Sequence, residues 1–108
     1  MRLHVESDRR FVQDPIEPIF WADFLARRPG DDESMQILVR FEVADFRALQ
    51  ERLGWDDSRE NNLILCESIL RAAVACGFWD HRLDAREHWP IVEAVVAALE
   101  RTAEPSAR

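Results

Sequence analysis

The sequence predicts an α+β fold in which helices dominate, with about four helices, two or three short strands and a single compact domain. Apolar residues recur at helical spacing over most of the chain, and short stretches alternate apolar and polar residues. The 108 residues, 47% of them hydrophobic, suit one core. We expect a globular domain over residues 1–102 and a frayed C-terminal tail over residues 103–108.

Two short strands are expected near the N-terminus. Leu3 and Val5 alternate with polar neighbours, which is typical of a strand. A polar turn follows, and Phe11–Gln13 predicts the second short strand.

A first helix is expected to begin at Asp14. Aspartate is a favourable N-cap, Pro15 suits the first helical position, and Glu17 completes a capping box. Apolar residues then recur at helical spacing, at Ile16, Phe20 and Phe24. Pro29–Gly30 predicts the end of this helix.

The clearest alternation in the chain lies between Met35 and Val43. Every second residue is apolar, and three of the five are Val or Ile, so this segment predicts a strand. The apolar positions are Met35, Ile37, Val39, Phe41 and Val43.

The rest of the chain predicts three further helices: a short one ending at Gly54, a long central one ending at Gly77, and one that starts at Pro90. The segment between the last two, from Phe78 to Trp89, is expected to be a loop or a short helical turn. Both cysteines, Cys66 and Cys76, fall in the central helix about 15 Å apart, too far for a disulfide. We expect both to be free, buried thiols.

The net charge of −7 is unevenly distributed, because residues 31–60 hold 9 acids against 4 arginines. Such a surface repels a nucleic-acid backbone and favours basic partners. No apolar run approaches the roughly 18 residues that a membrane span needs, and the N-terminus does not resemble a signal peptide. We therefore expect a cytoplasmic protein that binds another protein with a basic surface. Binding to nucleic acid is disfavoured, and a homodimer remains open.

The segment from Trp79 to Trp89 is the most enzyme-like part of the chain. It contains His81 and His88 with three acids, a combination that can ligate a metal or transfer protons. The spacing is not the one that places two imidazoles a helical turn apart, and nearby arginines can pair the acids. We expect no catalytic residue, no metal site and no cofactor.

The function predicted from these observations is a small acidic protein-binding module, of the inhibitor, immunity or antitoxin kind. Tryptophan is typical of binding hot spots, and acids steer a basic partner. The expected partner-binding residues are Asp31, Asp32, Glu33, Trp55, Asp56, Asp57, Trp79, His81 and Trp89.

Residues 36–75 also resemble a ribbon–helix–helix DNA-binding protein. The segment Gln36–Phe41 is similar to the ribbon of that family, and the helices on either side of Gly54 and Ser58 are similar to its helix pair. The resemblance implies a dimeric repressor or antitoxin in which Gln36 and Arg40 read bases. The acidic surplus of residues 31–60 favours the protein partner over this alternative.

Overall fold

The computed structural model describes residues 3–103, which form one mixed sheet and three α-helices. The strands are β1 (His4–Val5), β2 (Arg10–Gln13), β3 (Ile19–Arg27), β4 (Met35–Glu42) and β5 (Arg82–Asp84). The helices are α1 (Val43–Leu53), α2 (Arg59–Ala75) and α3 (Trp89–Ala103), with a 3-10 turn over Ala85–His88 before α3. None of these helices is both long enough and apolar enough to cross a lipid bilayer.

The sheet is built around the antiparallel hairpin of β3 and β4. Their register runs from Ile19 opposite Glu42 to Ala26 opposite Met35. On the other edge of β3, β1 and β2 pair with successive parts of the strand, so that together they form one interrupted edge strand. β5 pairs with β4 in the parallel direction, after the chain has passed through α1 and α2.

One face of the sheet forms the core with the helices. In β3 and β4 every second side chain is buried, which is the pattern of a strand with one face covered. The buried side chains of that face include Phe20, Ala22, Phe24, Ile37, Val39 and Phe41. The side chains of β3 and β4 on the other face are exposed or half-buried, and we call it the open sheet face.

An aromatic cluster joins α1 to three strands. The ring of Phe46 in α1 lies 5.2 Å from Phe11, 5.3 Å from Phe20 and 5.0 Å from Phe41, measured between centroids. These distances fall in the range of favourable aromatic pairs. α3 then packs against α1 and α2 and completes the helical layer.

The predicted fold class is wrong in its element count, although the fold is α+β. The described residues form three α-helices and five strands, not four helices with two or three strands, and 46% of these residues are helical and 26% are in strands. Two differences account for the correction: the helix predicted after Asp14, and the strand β5 that was predicted as loop or helical turn.

The helix predicted after Asp14 is the strand β3. Asp14 does cap the backbone, since its Oδ1 accepts from the amides of Ile16 and Glu17 at 2.9 and 3.0 Å, but it closes a turn and no helix follows. The next apolar residues are buried at every second position, at Phe20, Ala22, Phe24 and Ala26. Pairing with β2 and β4 on both edges stabilises the extended backbone.

The expectations for the cysteines and the tail are also corrected or limited. Cys66 is buried in α2, whereas Cys76 is exposed at the C-cap of that helix and is not the buried thiol that was expected. Both are free thiols. Of the tail predicted over residues 103–108, Ala103 ends α3 and residues 104–108 lie outside the described residues.

Candidate protein-binding surface

Part of the predicted binding site comes together at one end of the sheet. Asp31, Asp32 and Glu33 lie in the loop between β3 and β4, and Trp79 lies just before β5. With Ser34 and Met35 they line a cavity of about 350 Å³. We call the surface formed by Asp31, Asp32, Glu33, Trp79 and Asp80 the acidic end.

The parallel pairing of β4 and β5 explains this convergence. Because the two strands are parallel, both begin at the same end of the sheet, and the segments that precede them are neighbours. The amide of Leu38 donates to the carbonyl of His81 at 2.8 Å, and His81 Nδ1 lies 3.1 Å from the carbonyl oxygen of Gln36. His81 is therefore held against the start of β4.

The acidic end carries more negative charge than its neighbours compensate. Arg28 Nε donates to Asp31 at 3.2 Å, and its guanidinium carbon lies 5.0 Å from the ring centroid of Trp79. Asp32 and Glu33 are exposed and have no arginine partner among residues 3–103. Asp80 is likewise exposed and without an arginine partner among these residues, so this end presents three carboxylates that no arginine pairs, next to an indole that a cation covers.

A second group of predicted residues lies at the opposite end of α2. Trp55, Asp56 and Asp57 form the junction of α1 and α2, while Trp79 follows the end of α2. The 17 residues of α2 span about 25 Å at 1.5 Å per residue. The structure thus divides the predicted site into two surfaces, which we treat separately.

The carboxylate of Asp57 is fixed by hydrogen bonds from side chains of its own chain. Its Oδ1 accepts from Gln50 at 2.9 Å, from Asn62 at 3.0 Å and from Arg47 at 2.9 Å. These hydrogen bonds, that of Asn62 first, lower the pKa of Asp57 to about 2. Its carboxylate stabilises two amides that are themselves buried.

Trp89 packs on the core. Its ring meets Phe41 edge-on with centroids 6.5 Å apart, and its Nε1 donates to Glu93 one helical turn later at 3.1 Å. Trp89 thus begins α3 and fills the space between that helix and the sheet. Among the predicted tryptophans, Trp79 is the one that lies against the acidic loop.

Gln36 and Arg40 occupy the open sheet face, in the strand that resembles a ribbon–helix–helix ribbon. Gln36 donates to Asp23 at 3.0 Å, and Arg40 pairs with Glu42 at 2.9 Å and Asp84 at 3.3 Å. β4 pairs with β3 and β5 of the same chain, so the antiparallel edge that such a ribbon offers to a second chain is occupied. This geometry speaks against the DNA-binding alternative.

The prediction missed the tryptophan of the open sheet face. Trp21 Nε1 donates to Asp14 at 3.2 Å, and the guanidinium carbon of Arg82 lies 5.1 Å from its ring centroid. Two exposed apolar side chains, Val12 and Leu25, lie on the same face. The helix prediction for this segment concealed the signal, which was the alternation of Trp21 and Leu25 with buried neighbours.

The histidines of the segment 79–89 have separate surroundings. His81 lies beside Gln36, whereas the ring of His88 meets Phe78 at 5.2 Å between centroids. Over residues 3–103, no group of three or more His, Cys, Asp or Glu side chains is arranged to hold a metal ion. The thiol of Cys66 is fully buried, and this burial raises its pKa well above the ordinary value.

No protein-family model, curated protein or solved structure matches this chain.

Proposed function

We propose that the protein is a protein-binding module, an inhibitor of the immunity or antitoxin kind, which engages a basic surface of another protein through its acidic end. The observation that carries the proposal is the position of Asp32 and Glu33, exposed and without arginine partners in the described part of the chain, beside Trp79. Unpaired acids raise the rate of encounter with a basic partner. A tryptophan supplies apolar contact area once the partner has arrived.

The acidic end is supported by a long strand pair. β3 and β4 pair over eight residues, from Ile19 to Ala26, and the loop that contains the acids connects the paired ends of these two strands. Arg28 restrains the loop through Asp31 and covers Trp79, so few groups lose freedom on binding. The same surplus of charge opposes self-association through this end, which favours a different protein over a second copy.

The cytoplasm is the compartment that we propose. Cys66 and Cys76 lie on or beside one helix and are free thiols, which suits a reducing environment. Proteins that bind nucleic acids are candidate partners in that compartment, because their basic surfaces attract negatively charged groups.

The experiment compares two doubly neutralised baits that change the net charge equally. Asp32→Asn/Glu33→Gln alters the acidic end, and Glu51→Gln/Glu60→Gln alters exposed acids near the other end of α2. Affinity purification from the native host identifies the captured protein, and its association rate is then measured by surface plasmon resonance over a salt series.

We expect the association rate with the wild-type protein to fall about tenfold or more as salt screens the acids. The association rate of the Asp32→Asn/Glu33→Gln variant is already low without added salt and changes little as salt is added. The control variant has the association rate and the salt dependence of the wild type. A rate that does not depend on salt, or an equal loss in both variants, rejects the proposal.

A further inference from the structure

A groove lies between the interrupted edge strand and α2, next to the end of β3. Its volume is about 840 Å³, which lies within the range of small-molecule sites in proteins. It is lined by Leu3, His4, Arg28, Pro29, Arg71, Val74 and Ala75.

The charge of this groove is opposite to that of the whole chain. The titratable side chains that line it, within residues 3–103, are His4, Arg28 and Arg71. The acids that pair with them, Glu6, Asp31 and Glu67, do not line the groove. This is unexpected in a protein with 21 acids and 14 arginines. An anion therefore meets a favourable local potential in an otherwise repulsive protein.

Local ion pairing leaves a positive surplus beside the groove. Glu67 accepts from Arg9 and also from Arg71, whose Nε and Nη2 lie 3.1 and 3.0 Å from its Oε2. One carboxylate thus serves two guanidinium groups, and one positive charge remains uncompensated. Arg59 adds a further cation to this seam, since its guanidinium donates to the carbonyl of Arg9.

Arg71 keeps donors available for a ligand. Its Nη1 donates to the carbonyl of Leu3 at 2.6 Å, and Nη2 donates to Glu67. Each terminal nitrogen of an arginine carries two N–H groups, so one remains on each. The contacts to Leu3 and Glu67 also hold the guanidinium in place before any ligand arrives.

The rest of the lining is apolar. Leu3, Pro29 and Val74 supply hydrocarbon surface next to the arginines. A site of this composition favours a molecule with an anionic head and an apolar body, because the head then meets guanidinium groups and the body meets hydrocarbon side chains.

We propose that the groove binds a small organic anion, with a carboxylate or phosphate head at Arg71 and an apolar body against Leu3, Pro29 and Val74. Guanidinium groups pair with both kinds of head in a bidentate manner, so the head group is decided by experiment. Arg28 borders both surfaces, but the proposal rests on Arg71 and Ala75, which do not line the cavity of the acidic end.

The test is a titration of the isotope-labelled protein followed by backbone amide chemical shifts. The probes are octanoate and octyl phosphate, with octanol as the neutral analogue of equal chain length. We expect shifts centred on Leu3, His4, Val74 and Ala75, with an affinity at least about tenfold higher for one of the anions than for octanol. The preferred anion identifies the head group.

Two pairs of variants separate the groove from other surfaces. Ala75→Trp fills the groove from an exposed position, and Ile64→Trp adds the same side chain at another exposed position on α2. Arg71→Gln removes the guanidinium, and Arg82→Gln makes the same change on the open sheet face. We expect Ala75→Trp and Arg71→Gln to weaken binding about tenfold or more, while their controls bind like the wild type.

Three results overturn the proposal: equal affinity for octanol and both anions, wild-type affinity in Ala75→Trp, or no localised shifts at millimolar probe. Ala75→Trp keeps the test decisive if Arg71→Gln disturbs the fold, because it leaves every arginine contact intact. Capture of the protein partner by Ala75→Trp reports separately on the function proposed for the acidic end.

Discussion

Asp57 illustrates how a surface carboxylate can serve the interior of its own protein. The two amides that it holds, Gln50 and Asn62, are buried with 7% and 5% of their surface exposed, and Gln50 also donates to Asn62 at 2.8 Å. Buried amides are costly unless their hydrogen bonds are satisfied. Asp57 lies just before α2, whose N-cap is Ser58, and the hydroxyl of Ser58 accepts from the amide of Asn61.

Replacing Asp57 is expected to change the acid limb of the stability curve. The folded-state pKa of about 2 lies below the ordinary value of 3.8, so the carboxylate stabilises the fold fully above about pH 4. That contribution is lost as pH falls from about 4 toward 2, where Asp57 takes up its proton in the folded state. We expect Asp57→Asn to be less stable at neutral pH and to lose stability less steeply over this window.

Urea unfolding at a series of pH values measures this effect. The matched control is Asp56→Asn, because the neighbouring Asp56 is exposed and its carboxylate makes no hydrogen bond or ion pair within residues 3–103. An acid slope in Asp57→Asn as steep as in the wild type contradicts the assignment.

At the scale of elements, the strands β3 and β4 were not equally predictable. β4 was predicted over Met35–Val43 and spans Met35–Glu42, since Val43 is the first residue of α1. β3 contains Phe20 and Phe24, which satisfy both a helical and an alternating pattern, and it follows a strong capping signal at Asp14. Local rules cannot separate the two conformations here, whereas pairing with both neighbouring strands does.

The termination of α1 depends on a glycine that the sequence identified. Gly54 has a φ of 67°, in the left-handed region, and its amide donates to the carbonyls of Gln50 and Glu51. A methyl group at this position would meet no atom within 4 Å. We expect Gly54→Ala to destabilise the protein by about 1 kcal/mol through backbone strain alone.

Gly54→Asn is the informative control, because asparagine tolerates the left-handed region better than alanine does. We expect its denaturation midpoint in urea to lie between those of the wild type and Gly54→Ala. If alanine is tolerated as well as asparagine, backbone conformation is not what limits this position.

At the scale of the whole molecule, Phe46 connects the helical layer to the sheet. It contacts Phe11, Phe20 and Phe41 from β2, β3 and β4, and it is completely buried. A side chain shared by so many elements couples their stability, so the domain is expected to unfold in one cooperative step.

Truncating this side chain is expected to weaken every element together. We expect Phe46→Ala to lower the free energy of unfolding by about 3–5 kcal/mol, with coincident loss of tryptophan fluorescence and far-UV circular dichroism. Ile16→Ala is the control, since Ile16 is 90% exposed in the turn before β3 and its truncation leaves stability unchanged. Separate transitions for the two signals would contradict the single cooperative unit.

The distribution of charge is also a property of the whole molecule. The sequence located the acidic surplus in residues 31–60, but the fold sends Asp31–Glu33 to one end of α2 and Trp55–Asp57 to the other. The arginines Arg9, Arg59 and Arg71 gather instead along the seam of α2 with the edge strand. Proximity in sequence thus did not predict proximity in space.

The sequence by itself determined the features that depend on neighbouring residues. These are the alternation of β4, the glycine that ends α1, the apolar central helix α2 and the net negative charge. Each follows from short-range rules of backbone geometry, side-chain periodicity or simple composition.

The tertiary structure alone decided the conformation of residues 19–27, the strand β5, and the grouping of the candidate binding residues. β5 contains the single buried side chain Leu83, too little pattern to predict a strand, and it exists because β4 offers a free edge. The acidic end and the groove lined by Arg71 both arise where segments distant in sequence meet. Their formation depends on long-range pairing energy, which no local pattern encodes.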